Sequence, residues 1–191
     1  MILNSKYNDF IFKFPPNFFT KEIIDKYDPF IKRLKMPYNN LVDYMNFTVQ
    51  SVSWPSISTE VVEQFNDHGV KYFPGGWNLQ MYTSKELIVT FKTTESYINY
   101  FVMYDLLEYY WKMNKNKESI SHLPSFHLML LDRYGYLLVT FQYDYIVFFG
   151  LSELELSYAS NVPEFRTFTA SFKADVVKTI REYDNFGKIK V

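Results

Sequence analysis

With 191 residues, 48% of them hydrophobic and 21% charged, the chain has the make-up of one large folded domain, or of a domain with an added arm, and not of a disordered protein. A formal net charge of -1 does not favour nucleic acid as a bulk electrostatic partner, and the lack of cysteine excludes disulfide staples, thiolate metal sites and a cysteine nucleophile. The outlier is the 20% aromatic share: 19 Phe can fill a core, and 17 Tyr besides them predict half-buried surfaces of the kind an oligomer supplies.

The first residues, Met1 to Lys6, lead into no apolar signal-peptide core. Tyr7 to Phe14 alternates apolar with polar from Asp9 and predicts a short strand or extended arm, which Pro15-Pro16 ends. Thr20 is placed to cap a short helix over Lys21 to Tyr27. Asp28-Pro29 has the cap-then-proline signature of a second helix carrying Phe30, Ile31 and Leu34, closed by Pro37 and Asn39-Asn40. A boundary near residue 45 then divides an N-terminal helical arm, 1–45, from a β domain, 46–180, followed by a tail, 181–191.

From Asn46 the hydrophobic period becomes two. Phe47 to Val52 reads as a strand stopped by Trp54-Pro55, and Thr59 to Phe65 as a second. Asn66 to Gly69 and Pro74-Gly75-Gly76 are turn chemistry, so the stretch from Phe65 to Leu87 predicts a long hairpin or extended loop. Leu87 to Lys92 is a strand. A long helix follows, capped by Thr93 or Thr94, with Tyr97, Phe101, Tyr104 and Trp111 at helical spacing and Asp105, Glu108 and Lys112 as its wet face. Tyr104, Leu107 and Trp111 are expected to anchor it on the sheet. With its interruptions at Asn99, Asp105 and Glu108, this apolar run is too short and too polar to cross a bilayer.

Phe126 to Leu131, a turn at Asp132 to Gly135, and Leu137 to Tyr143 predict an antiparallel pair. Tyr143-Asp144-Tyr145 reads as a strand ending in a turn. Leu154 to Ala159 alternates, and Phe165 to Val177 is a long final strand. In that strand Phe168, Ala170, Phe172 and Ala174 share one face, and Thr167, Thr169, Ser171 and Lys173 the other.

Catalytic patterns are lacking. His68, His122 and His127 have no metal-ligand spacing, and structural or solvated roles fit them. Glu153 and Glu155 share a strand face, but nothing there predicts the pocket that would separate their pKa values; a solvated or channel-lining sheet fits better. Gly75-Gly76 is not a phosphate loop, and no nucleophile elbow occurs. The expectation is a non-enzyme with no cofactor and no metal.

Five segments carry a resemblance. They are Phe47 to Pro55, Pro74-Gly75-Gly76-Trp77, Glu86 to Phe91 with Ser96 to Tyr100, Asp132 to Gly135, and Ile146 to Leu151 with Leu154 to Tyr158 and Phe165 to Val177. Their order over residues 46–180 resembles the tail tube proteins of tailed phages and, by extension, the tube proteins of contractile injection machines. The resemblance implies a mainly β fold with α: an antiparallel β-sandwich or barrel flanked by one long helix, with the N-terminal helices as an added arm. It implies rings of identical subunits, hexameric or twelvefold, whose continuous inner sheet lines a channel in a virion tail assembled in the host bacterial cytoplasm. DNA would pass without specific binding, and the partners would be neighbouring tail, neck or baseplate proteins, with no membrane insertion.

A tube initiator, a tail-completion ring and a short-tail barrel would read similarly. On this reading Glu153, Glu155, Thr167, Thr169 and Ser171 are candidate lumen residues, and Tyr72, Phe73, Pro74, Gly75, Gly76 and Trp77 a candidate inter-subunit loop. Two rivals are a glycan-binding β-sandwich, with Trp54, Trp77 and Tyr72 stacking on sugars, and a hydrolase built on the Glu153/Glu155 pair. Deleting Asn66 to Gly76 is expected to leave the β signal in circular dichroism unchanged and to abolish assembly in sedimentation; assembly at the normal rate would remove the loop from the mechanism.

Overall fold

A computed structural model describes residues 10–33, 38, 40–53, 64–65, 71–72, 85–94, 96–115, 122–132, 134–154 and 166–181. In chain order the elements are β1 (Phe10–Lys13), α1 (Lys21–Arg33), α2 (Leu41–Thr48), β2 (Val49–Val52), β3 (Gln64–Phe65), β4 (Lys71–Tyr72), β5 (Glu86–Lys92), α3 (Ile98–Asn114), β6 (Phe126–Leu131), β7 (Leu137–Leu151) and β8 (Thr167–Arg181). Six strands form one antiparallel sheet in the order β1-β6-β7-β8-β5-β2, and β3 pairs with β4. The fold is mainly antiparallel β with three helices, as the order of the sequence segments implies.

The sheet is built on two strands of 15 residues, β7 and β8, paired along most of their length. The N-terminal half of β7 pairs with β6, while the N-terminal half of β8 pairs with β5. The ribbon therefore carries two four-stranded halves, β1-β6-β7-β8 and β7-β8-β5-β2, which meet at a corner. At that corner Tyr145 has φ 54°, a left-handed conformation that is strained for a bulky residue. There the inward-facing set shifts phase, from Phe141 and Tyr143 to Ile146 and Phe148 on β7, and from Phe172 and Ala174 to Val177 on β8. A bulge at Phe149 adds further bend. Tyr143-Asp144-Tyr145 is thus a mid-strand corner and not the strand end the sequence suggests.

Both halves bury the same aromatic cluster. Phe126 meets Phe172 edge-on at 5.2 Å, Phe91 stacks on Phe168 at 5.0 Å, and Phe14, just beyond β1, stacks on Phe91 at 6.0 Å. The Phe14 N–H also donates to Asn46 Oδ1, at the end of α2 that leads into β2. These contacts bring the two outermost strands near each other, so the sheet curls almost into a barrel. Phe18, Phe19, Ile23, Tyr27 and Ile31 from the first helical region, and Leu41, Tyr44 and Met45 from α2, pack into the same cluster.

The helices depart from expectation in three ways. α1 is one helix and runs through Pro29. Asp28 does not start a new helix; its carboxylate accepts the Leu41 N–H, the first of α2. Asn40 caps α2 by accepting the Asp43 N–H at 2.8 Å, so residues 41–48, read in part as strand, are helical. α3 has no threonine cap: Tyr97, at φ 52°, stands at its start, and the buried Asn99 ties the turn by donating to the Lys92 carbonyl.

Asp144 holds the corner. Its Oδ1 accepts from Ser125 Oγ at 2.7 Å and Gln142 Nε2 at 2.8 Å, and its Oδ2 from Lys178 Nζ at 2.8 Å, so one carboxylate joins β7, β8 and the lead-in to β6. Burial alone would raise its pKa; the hydrogen bonds from Lys178, Ser125 and Gln142, with the Lys178 charge, outweigh it and hold it down at about 2. Because the folded value lies below the unfolded one, the stabilisation is present above about pH 4 and is lost as pH falls toward 2. Asp144→Asn is expected to cost on the order of 1–3 kcal/mol in urea unfolding at neutral pH. The gap to the parent should close between about pH 4 and pH 2; a pH-independent gap would mean the carboxylate charge does not hold the corner.

Candidate functional site

The β7-β8-β5-β2 half has one face on the aromatic core and one turned outward. Outward lie Thr167, Thr169, Ser171 and Lys173 of β8, with Phe168, Ala170, Phe172 and Ala174 buried between them, the division that alternation predicts. Register sets Thr90 opposite Thr169, Ile88 opposite Ser171, Lys92 opposite Thr167 and Glu86 opposite Lys173. On the far side Ser51 pairs with Thr90, and on the near side Gly150 pairs with Ser171. The result is a face that carries hydroxyls around the exposed Ile88, with Lys92 at one end and Glu86 beside Lys173 at the other.

Serines also extend this half at its margins. Ser53 Oγ accepts the Ile88 N–H at 2.8 Å, and the Ser53 N–H donates to the Ile88 carbonyl at 2.9 Å. Ser152 does the same to Thr169, with both contacts at 2.9 Å. Glu153, the next residue, is exposed near this margin and brings a carboxylate to a face that already carries Lys92 and Lys173. Thr167, Thr169, Ser171 and Glu153 are therefore placed together, and Ser51, Thr90 and Glu86, which the sequence reading left out, complete the face. Their signal was present in the β5 alternation, with Leu87, Val89 and Phe91 buried between them.

Glu155, Phe73, Pro74, Gly75, Gly76 and Trp77 lie outside the described residues, as do Trp54 and His68. Tyr72 lies in β4, its backbone opposite Gln64. His122 packs edge-on against Tyr145 and is 4.0 Å from Asp175, whereas His127 is exposed on β6. Among the described residues no group of His, Asp and Glu is arranged to hold a metal ion, and no described helix is long and apolar enough to cross a membrane.

The outer side of α3 corrects another expectation. The helix packs through Val102, Met103 and Leu106, while Phe101, Tyr104 and Trp111 are 52%, 50% and 59% exposed. Asp105, read as wet, instead accepts from Lys26 and from Tyr27 Oη at 2.8 Å and binds α1 to α3. Burial, followed by the hydrogen bond to that carboxylate, raises the Tyr27 pKa to about 12. Aromatic residues all around the helix hid its packing side.

No family model matches the sequence, and no match to a curated protein is found. Several solved structures overlap it. A chain of the PVC sheath–tube complex, an extracellular contractile injection system in the extended state, is 17% identical over 70% of this chain and 80% of that one, with a TM-score of 0.47. The tube-terminating cap of the anti-feeding prophage is 13% identical over 70% and 80%, at 0.48. Hcp1 from Flavobacterium johnsoniae is 12% identical over 69% and 84%, at 0.34. The neighbours are thus tube-type and Hcp proteins, and each is a partial overlap.

Charge substitution tests whether this face is open to a polyanion. Thr169→Lys with Ser171→Lys is expected to leave the melting temperature within a few degrees, since both side chains point away from the core. It should also create retention of DNA, measured by gel shift, that vanishes with salt; unchanged DNA behaviour in assembled protein would mean the face is hidden from DNA.

Proposed function

We propose that this chain is a non-enzymatic structural subunit that joins its copies into a ring, with the hydroxyl face of β2, β5 and β8 lining a channel. The observation that carries the reading is that this face belongs to a half-sheet whose two edges, among the described residues, pair with no further strand. Among the described residues β2 pairs only with β5, and β7 from Val147 to Leu151 pairs only with β8. Open edges aggregate unless covered, and closure around a ring covers every one of them. Joining β2 of one copy to the C-terminal half of β7 of the next would continue the half-sheet around a central axis.

The chemistry of the face suits passage of a polyanion. Basic linings hold phosphates and strongly acidic ones repel them at a distance, whereas hydroxyls with balanced charges do neither. The finer reading is a ring of a phage tail tube, six subunits around, that conducts DNA and stacks on neighbouring tail, neck or baseplate rings in the virion. A specialised ring at the tube's end would present the same face. The segment Tyr72 to Trp77 is proposed to reach the next ring.

Sedimentation velocity and native mass measurement of the purified chain test this. One closed stoichiometry that grows with concentration at the expense of monomer is the expected result. A stable monomer at high concentration, binding glycans on an array, would put a virion recognition module in its place.

A further inference from the structure

The outer face of the other half-sheet is not hydroxyl-rich. Register aligns Ile11, Met129, Thr140 and Ile180 in one row across β1, β6, β7 and β8, on the side opposite Phe12, Leu128 and Phe141. Ile180 is 44% exposed, and Thr140 is buried between its apolar neighbours. The next row is Lys13, His127, Gln142 and Lys178. At one end of both rows a shallow depression opens between the sheet and α2, lined by Pro15, Pro16, Val42, Asp43, His127 and Met129 among others.

The ridge of α3 points away from the same core on another layer. Its exposed side carries Phe101, Tyr104, Glu108 and Trp111, at the three-and-four spacing of a single helical stripe. Trp111 lies under Lys115, whose ammonium is 5.2 Å from the ring. Ridge and row match in length: ten residues of helix rise about 15 Å, and three strand spacings cover about 14 Å. Charge matches at two points: Glu108, paired with Lys112 in its own helix, can turn to Lys13 of the next row, Lys178 being held by Asp144, and Lys115, one turn beyond Trp111, suits Asp43 at the depression.

We infer that the α3 ridge of one copy seats on the Ile11–Ile180 row of the next, with Trp111 entering the depression between β6 and α2. Ridge and row are different surfaces of one chain on different layers, so the contact is head to tail and propagates until a ring closes. Three half-exposed aromatic rings offer about 300 Å²; the row, with Ile180 exposed, Ile11 and Met129 partly buried and Thr140 buried, offers less, and the polar rim at Lys13, His127 and Asp43 supplies the rest of the roughly 1,000 Å² that a specific contact needs. Each copy is held on both sides in a closed ring, which makes such a contact sufficient. The inference rests on the ring reading and adds to the channel-lining half-sheet a second, outer layer of contact.

Two variants of the full chain test it. Tyr104→Lys with Trp111→Glu spoils the ridge, and Met129→Glu with Ile180→Glu spoils the row. Circular dichroism should match the parent for both, since the altered side chains point outward. Alone, each should need about tenfold or more higher concentration to assemble; mixed at a concentration where neither assembles alone, they should form heterodimers, because one intact ridge meets one intact row. Independently, the cysteine-free background allows Trp111→Cys and Met129→Cys in separate copies to be oxidised together. A disulfide-linked dimer in the mixture beyond that in either alone is the expected result. If the parent forms rings while both variants assemble normally, or while the row variant still dimerises through its ridge, the inference fails and the ring reading stands. If the parent forms no oligomer, both fail.

Discussion

Two antiparallel strands of 15 residues cannot stay flat and still bury one face against a small core. β7 and β8 resolve this by turning together at Tyr145, and every other element takes its place from that turn. The strands on either side of it, β6 with β1 and β5 with β2, are added to different halves of the ribbon, so their inner faces converge on one set of phenylalanines. The strained backbone at Tyr145 is held by the Asp144 carboxylate, which collects a hydroxyl, an amide and an ammonium from three segments. A charged group so nearly buried is stabilising only because each of its oxygens is matched.

The same turn separates the two outward faces. Before it, β7 and the C-terminal half of β8 present Thr140 and Ile180 in an apolar row; after it, the N-terminal half of β8 presents Thr169 and Ser171. One curled sheet therefore offers two different outer surfaces, an apolar row flanked by Lys13, His127, Gln142 and Lys178, and a hydroxyl face around Ile88. The helices cover the inner side and leave their own aromatic ridge. This distribution gives a ring account physical content: a lining and a contact surface are assigned to different halves of one ribbon, and the corner keeps them apart.

Alternation made β5 and β8 legible, because strictly spaced small and apolar residues leave one choice of inner face. The corner was not legible, since Tyr143 and Tyr145 flank Asp144 symmetrically in sequence while one is buried and the other exposed. The two asparagines at 39 and 40 look like a helix stop; only the contact from Asn40 to the Asp43 N–H shows that the second begins a helix. Asp28-Pro29 carries a start signature that tertiary packing overrides, as Tyr27 and Ile31 continue one buried stripe across it. On α3 the aromatic residues occupy every side, so periodicity gave the helix but not its orientation, and Trp111 was assigned to the core it does not enter. Of the candidate lumen residues, four fall on or beside one face because strand parity places them; the stretch from Tyr72 to Trp77 has no periodicity from which to place it.

The central claim is that β8 faces an open channel. Image reconstruction of the purified, concentrated protein addresses it, with a single Thr169→Cys substitution labelled by a small gold cluster in the otherwise cysteine-free chain. The account predicts rings or tubes with a hollow centre in end view and the gold density on the inner wall. Solid particles, single subunits, or gold on the outer rim of a ring would contradict it.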